Sequence, residues 1–338
     1  MLKATKFTTA LTATALGALF VSEAFAADVT WNVSLWGKRR AFTENVEKLA
    51  EEVAAKTNGR FEIKMAYGES LSKSKENLDG ISFGAFEMAQ ICASYHADKN
   101  PTLTVLELPF LGVKDLDMEN KVSMALYEHP AVKKDLARWD AMALMATPMP
   151  QYNFVGNGDV PKTTKDFEGM RVRALGGIGE LMSAVGAVPT TVTASETYQA
   201  MESGTVRAAS FAPHAHLSFK TVEVGTWWTK NMNPGTVQCP VVVSITAYNA
   251  LPDEFKTALN EAIAPAMEHY IATYDKVYEK WWPELEARKI QQIEFTEEDL
   301  ADLRSKAAPV WKKWVDEMDA KGIPGQELLD LVTSTVGN

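Results

Sequence analysis

Cysteine is scarce in this chain, whose 338 residues include only Cys92 and Cys239. Two thiols exclude a disulfide-dense scaffold and a cysteine-rich zinc module. Positive charge is also in deficit, with 34 Lys and Arg against 44 Asp and Glu and a formal net charge of −10. Because nucleic acids and anionic membrane surfaces are bound mainly through basic patches, neither is expected as a partner.

Motifs of the common enzyme classes are missing as well: there is no GxSxG, Walker A, HExxH, CxxC or paired-glycine dinucleotide motif. Gly176-Gly177-x-Gly179 lacks the placement of a nucleotide-binding loop and is predicted to form a turn. The spacing of His214 and His216 would put both rings on one face of a strand, but a metal would need further ligands that cannot be named. No cofactor or metal is therefore expected, although a secreted enzyme using His214 or His216 stays open as an alternative.

Long apolar runs are confined to the start of the chain. Lys3 and Lys6 precede an apolar stretch that extends to Val21, and residues 24–26, AFA, supply the small residues that a signal peptidase requires. This pattern predicts a cleavable secretory signal peptide at residues 1–26. A membrane anchor would need about 20 apolar residues, and this run is shorter. The mature protein is therefore predicted to be exported and not embedded in a membrane.

The predicted export determines whether the two cysteines could form a disulfide. An oxidising compartment permits a disulfide between Cys92 and Cys239. Buried free thiols are equally compatible with the sequence, because nothing in it gives the distance between the two residues. The pairing is left open.

In the rest of the chain, segments with the apolar spacing of strands alternate with segments that have the apolar spacing of helices. Residues 28–36 alternate apolar and polar side chains as a strand does, and from Arg40 onward apolar residues recur at the three- and four-residue steps of an amphipathic helix. Residues 253–289 are predicted to form one long helix, or two with a kink at Pro265. Further strands are predicted at 61–67, 86–92, 141–146, 151–155, 169–173, 206–211 and 238–248, and further helices at 72–83, 179–185 and 196–203. This order predicts an α/β protein with mostly parallel sheets, and the length favours two lobes.

An exported, acidic, two-lobed α/β protein without a catalytic motif is typical of a solute receptor, in which a ligand is enclosed between hinged lobes. A charged organic solute would need a fixed counter-charge. Arginine suits a carboxylate or sulfonate because its planar fork donates two parallel hydrogen bonds. The expected site therefore combines an arginine at a strand end with aromatic walls that exclude water.

Five segments carry a resemblance to a known family. They are residues 107–111 (ELPFL), 166–173 (DFEGMRVR), 185–189 (VGAVP), 196–206 (ETYQAMESGTV) and 307–311 (AAPVW). In order and spacing the chain resembles the solute-binding proteins of tripartite ATP-independent periplasmic (TRAP) transporters, in the dicarboxylate-binding, DctP-like branch. The similarity extends over nearly the whole chain after the predicted signal peptide.

The resemblance implies a two-lobed periplasmic binding protein with crossing strands and a long C-terminal helix spanning both lobes. Lobe I would comprise residues 27–150 plus about 238–277, and lobe II residues 151–237 plus about 278–338. The implied function is a periplasmic receptor that captures a small organic anion and delivers it to the small and large membrane subunits of a TRAP transporter. A receptor for a zwitterionic or sulfonated solute, or one feeding an ATP-driven importer, stays open as an alternative.

The same resemblance indicates site residues. Arg173, the second arginine of the 166–173 segment, stands where the family usually binds the ligand carboxylate, and Arg171 is expected to be a solvated neighbour. The family's usual Val-Asp-Gly is replaced here by residues 206–208, VRA, which suggests a more aromatic pocket. Aromatic residues at strand ends or loops are candidates for the cleft, although each also fits a plain core position. They are Trp36, Tyr67, Tyr95, Tyr152, Phe211 and Trp228.

Overall fold

The computed structural model describes residues 27–337, so the predicted signal peptide at residues 1–26 lies outside the described residues. Within that range the strands form two separate sheets. The strands are β1 Val29–Ser34, β2 Phe61–Ala66, β3 Met88–Gln90, β4 Ala141–Met145, β5 Asn153–Gly156, β6 Arg171–Arg173, β7 Val188–Thr190, β8 Ala208–Phe211, β9 Trp227–Thr229, β10 Val241–Ser244 and β11 Gln291–Ile293.

Each sheet contains one strand that runs against its neighbours. The first sheet has the order β2-β1-β3-β10-β4 and the second the order β11-β9-β5-β8-β6-β7. β10 is antiparallel to β3 and β4, and β5 is antiparallel to β8 and β9, while the remaining pairings are parallel. The predicted α/β class with mostly parallel strands is thereby confirmed.

Helices cover the sheets and connect their strands. They are α1 Glu44–Lys56, α2 Asn77–Ser82, α3 Leu116–Tyr127, α4 Pro130–Ala137, α5 Gly176–Ala184, α6 Thr197–Glu202, α7 Pro213–Ser218, α8 Thr221–Val224, α9 Ile245–Ala250, α10 Asp253–Glu261, α11 Ile263–Ala287, α12 Glu297–Ser305, α13 Ala307–Ala320 and α14 Gly325–Gly337. Short 3₁₀ helices occupy Ala41–Thr43, Ala93–Tyr95, Pro101–Glu107, Thr164–Phe167 and Ala194–Glu196.

The predicted long helix is two helices, which meet at Ala262 instead of bending at Pro265. Pro265 falls in the first turn of α11, where its missing N–H leaves no intrahelical bond unmade, so it begins a helix without distorting it. α11 then connects two hydrophobic cores. Tyr270 belongs to the core under the first sheet, whereas Trp281 belongs to the core of the second.

The chain also crosses between the sheets twice in extended form. Residues 146–152 lead from β4 to β5, and residues 230–240 lead from β9 to β10. The two segments are held together where the Tyr152 N–H donates to the carbonyl of Gly235 at 2.8 Å. The lobe boundaries stay a prediction. The last helix, α14, packs on α3 and the 3₁₀ helix Pro101–Glu107, both within the range assigned to lobe I.

Three local predictions were wrong. His214 and His216 lie on the helix α7, which Pro213 begins, and not on a strand. Gly176 and the glycines after it form the first turn of α5 and not an isolated turn, because nothing in that segment stops a helix. The strand predicted at 238–248 ends at Ser244, whose hydroxyl accepts from the N–H of Ala247 and so caps α9.

The two cysteines form a disulfide. Cys92 follows β3 and Cys239 precedes β10, and the antiparallel ladder continues past the strand ends. The N–H of Ile91 donates to Pro240 O at 3.0 Å and that of Ala93 to Gln238 O at 2.8 Å. The cysteines therefore face each other in the position between those bonds, where side chains of an antiparallel pair approach most closely.

Candidate functional site

Arg173 is the last residue of β6 and is almost completely buried, with 1% of its surface exposed. Its Nε donates to the carbonyl of Val192 at 3.0 Å, its Nη1 to the carbonyl of Ser210 at 2.8 Å and its Nη2 to the hydroxyl of Tyr95 at 3.2 Å. All three acceptors are neutral. A guanidinium carries five N–H groups, so one on each terminal nitrogen remains available to a further acceptor.

Tyr95 brings the first sheet to this arginine. It lies in the 3₁₀ helix after β3, three residues beyond the disulfide, whereas Arg173 belongs to the second sheet. The Tyr95 hydroxyl accepts from Arg173 and also from the N–H of Ala194 at 2.9 Å. Because both bonds use its oxygen as acceptor, the hydroxyl proton is left to be donated elsewhere.

A cluster of aromatic rings adjoins the guanidinium of Arg173. Cζ of Arg173 lies 4.1 Å from the ring centroid of Phe211, within cation–π range. Phe211 is stacked at 5.8 Å on Phe219 and lies 6.5 Å from Tyr152. Trp36 lies 6.2 Å from Phe219 and 5.8 Å from Tyr95. Four of the aromatic residues singled out in the sequence therefore come together here.

Two other predicted aromatics lie elsewhere. Tyr67 packs against the core of the first sheet, and burial followed by the nearby carboxylate of Glu47 raises the pKa of its phenol. Trp228 packs on Trp281 and Trp282 of α11, with ring centroids 5.4 Å apart in both pairs. Neither residue joins the aromatic cluster at Arg173. The sequence could not show this, because the alternation along a strand does not specify which of its faces meets the other sheet.

Sequence reasoning missed three residues of this region. Phe219, at the end of α7, stacks on Phe211, and Arg40 lies over the rings of Trp36 and Phe219. Glu107 is fully buried. Of these three, Arg40 could have been identified as a candidate from the sequence. It lies in the loop after a predicted strand, and α/β folds bind ligands at the carboxyl ends of parallel strands.

Glu107 is a buried acidic group close enough to Arg173 for the charge of the arginine to act on its pKa. Its carboxylate accepts from the N–H of Ser94 at 3.2 Å and of Gln238 at 3.1 Å, and it also bonds the Ser94 hydroxyl. Burial raises the pKa of Glu107 to about 7, an effect that these hydrogen bonds and the charge of Arg173 only partly offset. Helix α5 packs directly on this backbone, since a Cβ on Gly177 would lie 2.2 Å from the carbonyl oxygen of Glu107.

The raised pKa of Glu107 predicts a pH dependence of stability. Burial favours the protonated form, so the free energy of unfolding falls as the pH rises from 4.5, the ordinary pKa of a glutamate, to the raised pKa of about 7. This group alone should contribute a loss of roughly 3 kcal/mol. Glu107→Gln cannot ionise, and Ser94 can turn its hydroxyl to accept. We therefore expect the free energy of unfolding, measured with urea on ligand-free protein, to decline less steeply across this pH range in the variant than in wild type. The same pH dependence in both proteins would contradict a raised pKa of Glu107.

The two histidines of α7 do not act as a pair. His214 bonds the hydroxyl of Tyr274 at 3.0 Å, whereas His216 bonds the hydroxyl of Thr221 at 2.6 Å and the carbonyl of Asn153 at 3.1 Å. Burial lowers the pKa of His214 well below its usual value and that of His216 to about 3. Both rings are therefore neutral hydrogen-bonding groups of the interior, and among residues 27–337 no three His, Cys, Asp or Glu side chains are grouped to hold a metal.

Comparison with known proteins identifies the family of this chain. The model of the "Bacterial extracellular solute-binding protein, family 7" matches residues 33–317. The C4-dicarboxylate-binding periplasmic protein DctP of Rhodobacter capsulatus is 27% identical over 280 residues, which are 81% of this chain and 82% of that protein. Within residues 27–337 none of the helices has the length and apolar character needed to cross a bilayer.

Solved structures share the fold at lower identity. A marine metagenome TRAP solute-binding protein specific for aromatic acid ligands, in complex with metahydroxyphenylacetate, superposes with a TM-score of 0.82 at 18% identity and covers 91% of this chain and 98% of its own. A second marine metagenome protein, specific for pyroglutamate, gives a TM-score of 0.80 at 23% identity and covers 92% of this chain and 100% of its own. The arrangement of two sheets, crossing segments and long helix is that of these proteins.

Proposed function

Because the chain belongs to the bacterial extracellular solute-binding proteins of family 7, we propose that it is the receptor of a TRAP transporter and that it captures a small organic acid between its two lobes. The observation that carries this proposal is Arg173, a buried cation whose three protein acceptors are all neutral. A buried charge whose hydrogen-bond acceptors are all neutral is costly, and a ligand carboxylate bound to it would offset part of that cost. The two N–H groups left on its terminal nitrogens suit the two oxygens of a carboxylate.

The neighbours of Arg173 complete the proposed site. The Tyr95 hydroxyl has its proton left to donate to the same carboxylate, and Phe211, Trp36 and Tyr152 supply apolar walls. A low-dielectric enclosure strengthens the ion pair because it excludes water. A quaternary ammonium ligand is disfavoured, since its charge would be repelled by the buried guanidinium. A sulfonate offers the same oxygen geometry as a carboxylate and remains within the proposed class.

Ligand capture would work by hinging of the lobes. We propose that the crossing segments, 146–152 and 230–240, act as the hinge together with α11, since these are the connections that join the two sheets. The bond from Arg173 to Tyr95 joins the sheets across the cleft, so a carboxylate held by both would favour the closed form. The closed receptor would deliver its ligand in the periplasm to the small and large membrane subunits. The TRAP solute-binding proteins among the structural neighbours favour this over an ATP-driven importer.

A panel of organic acids and their amides tests the proposal. Dicarboxylates, oxo acids, sugar acids and aromatic acids are each paired with the neutral amide of the same skeleton, and the melting temperature is measured with each compound. Binding to the folded state alone raises the melting temperature by mass action. We expect at least one acid to raise it and its amide to have no effect. Equal stabilisation by an acid and its amide would contradict the proposal.

A further inference from the structure

The carboxyl group of Glu107 is buried among neutral hydrogen-bond donors. Glu107 ends the 3₁₀ helix Pro101–Glu107 and has no exposed surface. Its Oε1 accepts from the N–H of Ser94 at 3.2 Å and from that of Gln238 at 3.1 Å, and its Oε2 accepts from the Ser94 hydroxyl. These bonds offset only part of the cost of burying a negative charge. The same place also suits the protonated form, because the Ser94 hydroxyl can turn to accept from it.

This carboxyl lies where the cores of the two sheets meet. Leu106, beside it, belongs to a core that includes residues of the first sheet, whereas α5 belongs to the core of the second. A Cβ on Gly176 would collide with Oε2 of Glu107, so the first turn of α5 lies directly against the carboxyl. Helix α5 begins shortly after Arg173. Glu107 therefore contacts the segment that follows the proposed ligand-binding arginine.

A second connection joins Glu107 to the proposed site. Ser94, which donates twice to the carboxyl, immediately precedes Tyr95, and the Tyr95 hydroxyl accepts from Arg173 at 3.2 Å. The charge of Arg173 lowers the pKa of Glu107 against the larger, opposite effect of burial. The guanidinium that would bind the ligand thus also stabilises the ionised form of Glu107. A ligand carboxylate on Arg173 would cancel that stabilisation and add its own repulsion, and both effects favour the protonated form.

The other charged groups around Glu107 are already paired. Helix α14 packs on the 3₁₀ helix Pro101–Glu107 through buried apolar residues. Burial lowers the pKa of His96, which follows Tyr95, to about 4, so its ring is neutral at neutral pH. The charged side chains that α4, α5 and α13 bring to this region form ion pairs: Asp135 with Arg138, and both Glu180 and Glu317 with Lys313.

We propose that Glu107 is a proton-binding site linked to the ligand site, so that the receptor takes up a proton at Glu107 when it captures its organic acid. The inference rests on the proposed function and adds the proton to it as a second ligand. The ionised carboxylate takes this proton from solvent, and one O–H bond forms. A cavity of about 290 Å³ whose walls include Ser94, Glu107 and Gly176 has room for the water that would deliver it.

The linkage has a defined direction. Burial raises the pKa of Glu107 to about 7 in ligand-free protein, so both of its forms are present at neutral pH. The bound acid should raise this pKa further. Because linkage is reciprocal, protonation of Glu107 strengthens acid binding by the same factor by which the acid strengthens proton binding. Affinity should therefore be greatest below the ligand-free pKa and should fall as the pH rises through it.

Calorimetry on wild-type protein tests the linkage without any variant. The probe is the acid of the thermal-shift panel that raises the melting temperature most, and the buffers are bis-Tris and Tris, which differ in ionisation enthalpy and carry no anionic group. We expect uptake of roughly half a proton per ligand at about pH 7, and affinity roughly 10-fold weaker at about pH 8.5 than at about pH 6. Binding with no difference between the buffers and no pH dependence would overturn the inference and leave the proposed function standing. No binding of any acid would overturn both.

Variants then assign the proton to Glu107. Glu107→Gln has no carboxyl to protonate, so it should take up no proton and should bind with the same affinity across this pH range, close to that of wild type at the acidic end. Glu180→Gln is the matched control. It makes the same replacement in the wall of the same cavity, but at an exposed side chain that pairs with Lys313 at 2.6 Å, and it should keep the proton uptake of wild type. Uptake that persists in Glu107→Gln would overturn the inference.

Discussion

Replacement of Arg173 by alanine is expected to abolish detectable binding of the organic acid while the protein remains folded. Removal of one partner from a buried, hydrogen-bonded ion pair costs roughly 3–5 kcal/mol, which lowers affinity more than about 100-fold. The ligand-free fold should tolerate the change, because the arginine is bonded only to neutral acceptors and its removal also eliminates a buried charge. Calorimetry with a ligand from the panel, together with the melting temperature of the ligand-free variant, measures both effects.

Arg171 provides the matched control on the same strand. Its side chain is exposed and its Nη2 donates to the carbonyl of Gly204 at 2.7 Å, so Arg171→Ala should bind the ligand like wild type. Arg173→Lys should fall between alanine and wild type, since an ammonium keeps the charge but not the two parallel donors. Wild-type affinity in Arg173→Ala would show that the carboxylate is bound elsewhere.

Loss of the disulfide should have the largest effect on stability. Cys92 and Cys239 are 147 residues apart in sequence, so their bond closes a long loop in the unfolded chain. We expect the Cys92→Ala/Cys239→Ala double variant to lose about 2–5 kcal/mol in the free energy of unfolding, mainly because the unfolded chain gains freedom. Urea unfolding followed by circular dichroism measures the difference.

A reductant separates the disulfide from the other consequences of the double substitution. It should lower the stability of wild-type protein toward that of the variant and leave the variant unchanged. If wild-type protein unfolds at the same urea concentration with and without reductant, the bond does not contribute as expected. Because Tyr95 lies three residues after Cys92, ligand affinity in the variant also reports whether the cross-link positions that hydroxyl.

Local periodicity predicted much of the fold. The alternation after Gly59 predicts a strand at 61–67 and the structure has Phe61–Ala66, and the apolar stripe after Arg40 corresponds to α1. The segment 238–248 was harder, because a run of β-branched residues has no internal marker for the point where β10 ends and α9 begins. Only the cap at Ser244 marks that boundary.

The site depended on contacts between distant parts of the chain. Arg173 could be singled out through the family segment and its place at a strand end, and in the structure it is buried. Tyr67 and Trp228 had the same local signature as Tyr95, yet only Tyr95 reaches the arginine. Arg40 was missed because its contact with Phe219, which packs against the core of the second sheet, joins distant parts of the chain. The disulfide likewise follows from the register of β3 and β10, which no local pattern encodes.

The two reversed strands have a consequence for how this chain folds. β5 and β10 are each the strand reached by a crossing segment. β10 inserts between β3 and β4, which both precede residue 146 in the chain, whereas β10 begins at Val241. β4 therefore cannot join the first sheet until β10 has been made, after most of the second sheet. Since non-local pairings slow folding, the halves should acquire their final structure together and late. A fragment ending before residue 241 would expose the edges of β3 and β4, which makes it prone to aggregation and a natural substrate for chaperones.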